Sequence, residues 1–572
     1  MVAVYLAFAV VILWFGRRWI LSLLTPRSIP GIPAYPDPVP VLGDIPRLAA
    51  SMKATNGFIG FMDKVAKDLG PIAQVRISFL NTMVVVTDYQ SIDNILTKQT
   101  QHCDRDSHTI KAFRTILPRA LISLPTNDMW KHHRRIIGTA MTSKYLSLTT
   151  PRANESVKEL VNLWRRKASV CEGRAWAAEG DMESAALDAI CGMAFGHSWG
   201  IIPSYSSQLV EGEYPTGING EVVFDTVRPE LAESTWAIFN SLPTTSSFPY
   251  ILHKIRTLSP TYRRHARRLD RFLDAKLADS RARAESVGAE VAVDVADNTL
   301  DLMTARQLRG DDWMPDDEMK DEVFQYLVAG TETSGCTLAW WLKYMTNHPE
   351  VQRKLRKHML EKLPEMQDRP PKFEDLNATN TPYLEAVVHE TLRLSRTAGG
   401  YSREVTQDVT VLGKVIPKGC TIIIPTVTGL EDRSTPVYGP DPNALGSDSV
   451  DPDDIAERMD ASLEVLRPGS AKRKVGFWKP GSGFNFDPER WLNEQGHFDI
   501  NAGPSLPFSA GQRGCFGKNL AMLELRFFIS QLNQTFFFAP VSDALNSFDM
   551  YQTVTTHPRQ CFIRPVSWDS DL

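Results

Sequence analysis

Apolar and polar positions change rhythm several times along the chain, and each rhythm predicts a different element. Residues 2–16, VAVYLAFAVVILWFG, form an uninterrupted apolar run, followed by Arg17, Arg18 and a second apolar piece, WILSLL. At ~1.5 Å per helical residue the first run falls short of a ~30 Å hydrocarbon core, so a membrane span is predicted over 1–24, with the two arginines reaching out to the interface. The prolines of TPRSIPGIPAYPDPVPVLG (25–43) forbid a helix and predict a stiff, extended connector over 25–45. Helical spacing then dominates, as in ESVKELVNLWRRK from 155, RRHARRLDRFLDAKLADSRARA from 263 and AMLELRFFISQL from 521. Two β-branched runs, MVVVTD (83–88) and CTIIIPTVT (420–428), predict a minor sheet. The expected fold class is mainly α with a minor β component, residues 46–572 forming one large body. Clustered Gly, Pro, Ser and charge mark 441–483 as a solvated surface insertion.

Composition narrows the possibilities. The 572 residues are 43% hydrophobic and 23% charged, ordinary for a globular protein and incompatible with global disorder. A formal net charge of -4 leaves no global basic field, so no nucleic acid partner is expected. No basic residue precedes the first apolar run and no small-x-small cleavage site follows it, which favours an uncleaved anchor over a signal peptide. Arg17, Arg18 and Arg27 lie on its C-terminal side and predict a single-pass topology with the body facing the cytosol. Seven scattered cysteines suit a reducing compartment better than a disulfide framework.

One cysteine stands apart. Cys515 lies in PFSAGQRGCFG (507–517), just ahead of the amphipathic KNLAMLELRFFISQL, so the free N–H groups of a helix N-terminus face its sulfur and favour thiolate. Such a cysteine can be core filler, nucleophile or metal ligand. No histidine lies nearby in sequence to act as a base, and no CxxC offers zinc a second ligand. A lone thiolate filling one axial position of a large cofactor fits better. Gly511 and Gly517 would then let the backbone approach a flat macrocycle, Phe508 would shield the sulfur, and Arg513 would meet an anionic edge.

Phe508, Gly511, Arg513, Cys515 and Gly517 match, in order and spacing, the haem-binding loop F-x-x-G-x-R-x-C-x-G, and here the chain resembles the cytochrome P450 family. The resemblance implies haem b with Cys515 as axial ligand to iron, the thiolate pushing electron density that favours O–O cleavage. Further motifs stand in the family's order. AGTETS (329–334), in a long apolar helical run, is similar to the family's distal helix; the resemblance gives Gly330 the task of leaving room for oxygen and Glu332 and Thr333 that of delivering protons. Trp130 and Arg134 in WKHHR, and Arg403 in YSREV, resemble the family's haem-propionate partners. Glu390 and Arg393 of ETLR, with Arg490 of FDPERW, resemble its Glu-Arg-Arg structural network. The chain departs from the pattern at Arg396, where proline is common, and in the length of its insertion before FDPERW.

The activity that the resemblance implies is mono-oxygenation of a small hydrophobic molecule, in the style of fungal microsomal members that tailor secondary metabolites. No part of the chain is left for a flavin domain, so electrons are expected from NADPH through an external reductase, with Arg135 and Lys518 as candidate docking charges. An endoplasmic reticulum location is expected for the anchored form. Ala398, Gly399 and Gly400 are expected to leave space for a bulky substrate. The alternatives are an oxygen-independent haem-thiolate isomerase or dehydratase, and a haem- or ligand-binding protein without catalysis.

Overall fold

The computed structural model describes residues 24–55, 57–78, 81–242, 249–426, 463–465, 473–476, 478–479 and 482–568. The expected span over 1–24, Leu24 apart, and most of 441–483 lie outside these residues. Among the described residues no helix is long and apolar enough to cross a membrane. The chain divides into two compact units: Met1–Asp106 with Gly399–Asn485 and Gly503–Gly514, and Ser107–Ala398 with Phe486–Ala502 and Cys515–Leu572.

The first unit holds a five-stranded sheet of β1 (Ile72–Ser78), β2 (Asn81–Val86), β3 (Cys103–Asp104), β4 (Gly400–Val405) and β5 (Thr421–Pro425), in the order β1-β2-β5-β4-β3. Only β2 and β5 run parallel. Side chains alternate across the sheet as a period of two requires: Val85 and Ile423 pack on one face with Phe61, Met62 and Val65, while Val84, Val86, Ile422 and Ile424 pack on the other with Ile92, Ile95 and Leu96. The predicted apolar runs at 83 and 420 are thus buried on both faces, which explains their lack of polar alternation. The proline connector belongs to this unit. Buried Gln74 of β1 accepts from the backbone N–H of Ile29 at 2.7 Å and donates to the carbonyls of Ile29 and Ile32.

The second unit is helical. Its elements of interest are α1 (Asp128–Gly138), α2 (Ser143–Cys171), α3 (Glu179–Phe195), α4 (Asp316–Asn347), α5 (Pro382–Ser395) and α6 (Lys518–Thr535), with a C-terminal hairpin of β6 (Met550–Gln552) and β7 (Thr556–Pro558). The 32 residues of α4 span about 48 Å at 1.5 Å each. Two glycines set its distance from α3. A Cβ at Gly330 would stand 2.5 Å from Cδ1 of Ile190, and one at Gly335 would stand 2.9 Å from Cα of Glu183. Every residue of α3 from Asp181 to Phe195 is buried.

The ETLR helix α5 is fixed by one carboxylate. Fully buried Glu390 accepts two hydrogen bonds from Arg393 at 2.8 Å, one from Nε of Arg490 at 3.0 Å, and others from Nε1 of Trp491 and the backbone N–H of Asp487, both at 2.9 Å. A buried charge is tolerable when its lone pairs are filled in this way. Arg396, where the family favours proline, closes α5 with φ +49°. Proline, locked near -65°, cannot take that conformation. All seven cysteines are unpaired, as the composition predicts.

Glu390→Gln removes the charge that two buried guanidinium groups share, and breaking such a pair costs ~3–5 kcal/mol. Thermal unfolding of the purified variant is expected to show a midpoint several degrees below the parent. An unchanged midpoint would mean that the network contributes nothing to stability.

Candidate active site

In α4, every residue from Tyr326 to Thr346 is buried except Ala329, Gly330 and Thr333. These three fall at i, i+1 and i+4 and therefore on one face, a single uncovered patch in the middle of a buried helix. The Thr333 hydroxyl donates to the Ala329 carbonyl at 2.6 Å, a back-bond that weakens the helix locally at that patch. Glu332 does not share it. Successive helical residues point about 100° apart, and Glu332 is buried on the far side with Oε1 accepting from Thr553 at 3.1 Å, from Thr555 at 2.9 Å and facing Nε2 of His557 at 3.0 Å. The acid and the alcohol are neighbours in sequence, but the structure gives them separate partners.

The propionate-type residues of the second unit are brought beside the cysteine loop. Asn127 caps α1 by accepting from the Trp130 backbone N–H at 2.9 Å. Arg134, one turn further, lies with its guanidinium 5.2 Å from the Trp130 ring and 4.8 Å from the ring of Phe516, the residue after Cys515. Asn519 ties the start of α6 to the same region by donating to the Met141 carbonyl at 3.3 Å. Burial lowers the Arg134 pKa from its ordinary value, a cost that an anion beside it would offset.

Cys515 precedes α6 by three residues, as the sequence predicts, and its side chain is exposed. The expected depression of its pKa is not what the structure gives. Desolvation pushes the thiol up, and this outweighs the Gly517 N–H and the Lys518 charge that pull it down. A helix end contributes only a fractional charge, whereas a coordinating cation would deprotonate a thiol outright. A Cβ at Gly517 would meet no protein atom within 4 Å, so open space lies along this side of the loop.

The remaining loop residues belong to the first unit. Gly511 has φ +70°, and a Cβ there would come 1.8 Å from the Leu96 carbonyl oxygen, so no other residue fits. Tyr401 orients the approach: its hydroxyl donates to the Leu506 carbonyl at 2.5 Å and accepts from the Ser509 N–H at 3.2 Å. Phe508 is half-buried. Arg513 is buried, with Nε 4.0 Å from Asp104. Arg403 on β4 is buried too, and its pKa is pushed down to about 10 by burial and then by the like charge of Arg105. Arg105, which the motif reading missed, has a buried Nε that meets no acceptor among the described residues. The same unit's Asp106 is engaged by Ser402. The unmatched buried Nε of Arg105 suits an anionic ligand, and the DRD run at 104–106 was its local signal.

Two expectations change. Gly400 does not leave room for substrate: a Cβ there would lie 2.8 Å from the Ile424 carbonyl oxygen and 3.1 Å from Cα of Pro425, so the missing side chain admits the backbone of β5. Arg135, though exposed, is not a free docking charge, since its Nη2 pairs with Asp312 at 2.7 Å. The segment TVTTHP (553–558), outside the motifs, turns Thr553, Thr555 and His557 toward Glu332. Their spacing of two was the available signal.

Within the second unit, a thiol ahead of α6, an arginine beside Phe516 and a bare patch on a buried helix are donors of the kind that suit an iron-bearing, anionic, planar group. Comparison with known proteins agrees. The family profile described as Cytochrome P450 matches residues 33–443 and 477–563. The chain is 27% identical to "Cytochrome P450 monooxygenase GME11363" of Pestalotiopsis microspora, covering 95% of each chain. It is 25% identical to "Cytochrome P450 monooxygenase TRI13" of Fusarium sporotrichioides over 98% of each, and 28% identical to "Cytochrome P450 monooxygenase xilC" of Penicillium crustosum over 96% of this chain and 93% of the relative. With a profile match running from the connector to the C-terminal strands, the chain belongs to the cytochrome P450 family and is an oxidoreductase of its monooxygenase kind.

Proposed function

We propose that the protein inserts one oxygen atom of O2 into a small hydrophobic metabolite of fungal secondary metabolism, with Cys515 as the axial ligand of haem b. Electrons come from NADPH through a separate reductase. The observation that carries this reading is the uncovered patch of Ala329, Gly330 and Thr333 in an otherwise buried helix. A hydroxyl held there favours oxygen activation, since an oxygen-independent isomerase does not need one. The fungal relatives, all described as monooxygenases, support the same choice.

Bound haem supplies the redox chemistry, and thiolate ligation favours O–O cleavage. The chain supplies the rest. Arg134 and Trp130 of the second unit, and Arg105, Arg403 and Arg513 of the first, are the residues that would hold the anionic edge; Phe508 and Phe516 would shield the thiolate, and Gly511 and Gly517 would leave the loop free of side chains. Thr333 presents its hydroxyl on the bare patch, where it can exchange the Ala329 carbonyl for a ligand oxygen. Glu332 is the neighbouring acid. Residues 1–24, by their apolar run and trailing arginines, anchor the protein as a single span in the endoplasmic reticulum membrane with its body in the cytosol.

The reduced carbon-monoxide difference spectrum tests the ligand. The parent is expected to show a Soret band shifted strongly to the red, and Cys515→Ala to lose it; a spectrum indifferent to Cys515 would end the haem-thiolate reading. Gly511→Ala is expected to lower haem content severely through its clash with the Leu96 carbonyl. Thr333→Ala should keep the spectrum but form product per NADPH at least about tenfold less well, because positioned proton transfer contributes ~10²–10⁴-fold. Undiminished product from that variant, or turnover without NADPH, would favour the isomerase. The full chain should resist alkaline carbonate extraction from membranes while residues 25–572 are released; equal release of both would remove the anchor.

A further inference from the structure

Glu332 is held by a buried cluster that the motif reading does not explain. His557 on β7 sits with Nδ1 2.8 Å from Glu179 Oε1 and Nε2 3.0 Å from Glu332 Oε1. Thr555 Oγ1 lies 2.7 Å from the same Nε2. Tyr551 stacks on the ring with centroids 4.9 Å apart and donates its hydroxyl to Glu179 at 3.2 Å. Glu183, one turn beyond Glu179 on α3, stands 3.8 Å from Nδ1 and 3.8 Å from Arg228. Cys336, one turn beyond Glu332, donates its thiol to the Thr556 carbonyl at 2.9 Å. These are the ionisable groups that α3, α4, the segment bearing Arg228 and the C-terminal hairpin turn toward the ring.

Both ring nitrogens face carboxylate oxygens. A neutral imidazole would set a lone pair against one of them, whereas the imidazolium donates to both. Burial opposes that charge, but the hydrogen bonds and charges of Glu179 and Glu332 prevail and raise the His557 pKa to about 10. In return, and again against burial, His557 with Thr555 and Thr553 holds Glu332 below the usual carboxylate range. Glu183 behaves differently: burial first, and then the charges of Glu179 and Glu332, push it up to about 7. Ligand atoms of Glu179, Glu183 and His557 lie close enough together for a metal ion, but a ring that donates from both nitrogens is itself the cation of the cluster.

We propose that His557 is a positioning residue for the reaction: clamped between Glu179 and Glu332, it keeps Glu332 ionised and turned away from the Thr333 patch, so that release from this clamp decides when the acid can serve the alcohol. The solvent end of the clamp is Glu179, half-buried at the start of α3. The sign of the pH effect follows. The clamp is fully formed below the ordinary histidine pKa of 6.5 and is lost as pH rises through about 10. The stability associated with neutral Glu183 is present below 4.5 and is lost as pH rises through about 7, where a further negative charge enters the cluster.

This inference rests on the oxygen-activating reading of Glu332 and Thr333, so its first test uses no turnover. In full-chain protein labelled with [13C]histidine, the His557 ring resonance is identified among twelve histidines by its loss in His557→Gln. If that variant fails to fold, the resonance is the one that moves in both Glu179→Gln and Glu332→Gln. The ring is expected to stay an imidazolium from pH 6 to 9 and to titrate at least about one pH unit lower in Glu332→Gln, the usual effect of removing an adjacent opposite charge. A ring that titrates near 6.5 in the parent, or that ignores Glu332→Gln, would overturn the clamp. With reductase, His557→Gln should retain the red-shifted Soret band but yield severalfold less product per NADPH; unchanged coupling would make His557 merely structural. A parent without that band would sink the haem reading and leave the ring titration standing.

Discussion

The close approach of α3 and α4 is the constraint on which the site depends. Gly330 and Gly335 remove side chains that would strike Ile190 and the Glu183 backbone, and the two helices pack at a distance that larger residues would not permit. Glycine in mid-helix costs ~1 kcal/mol, and the return is positional. The pairing turns Glu332 toward α3 and the C-terminal hairpin, leaves Thr333 on the bare patch, and brings Glu179 and Glu183 up to the same histidine. A helix displaced by the volume of one methyl group would keep its fold and lose this registration.

Buried charge is used in two ways. At Glu390 the carboxylate is saturated by Arg393, Arg490, Trp491 and the Asp487 backbone, so nothing further is required and the group acts as a structural joint. At Arg105 a buried Nε meets no acceptor among the described residues, and its neighbour Arg403 loses basicity to burial first and to the like charge of Arg105 second. A saturated cluster holds a fold together, whereas an unsaturated one is completed by a ligand. The same distinction applies at His557, where the ring is fully engaged and yet one nearby acid, Glu183, is left near neutrality.

The cysteine loop shows how little of a metal site the metal ligand itself decides. The helix end behind its sulfur does not by itself bring the thiol pKa down. The surroundings are built more firmly: Gly511 is wedged against Leu96, Tyr401 fixes the approach at Leu506 and Ser509, and Arg134 spans from Trp130 to Phe516. Backbone shape and counter-charge are laid down by the protein, and the final electronic state is left to coordination.

The sequence by itself determined the helical majority, the two doubly buried strands, the cysteine ahead of α6 and the Glu390 pairing with Arg393. All of these rest on local periodicity or on fixed spacing along one element. It also carried the family's motifs, because each is a short contiguous string. Only the tertiary structure decided which partners Glu332 meets, that Gly400 serves strand packing, and that His557 lies between Glu179 and Glu332. Each of these depends on which distant backbone stands opposite a given side chain. Residues 179, 332 and 557 meet only because three elements far apart in the chain are packed together, and no local pattern encodes that separation.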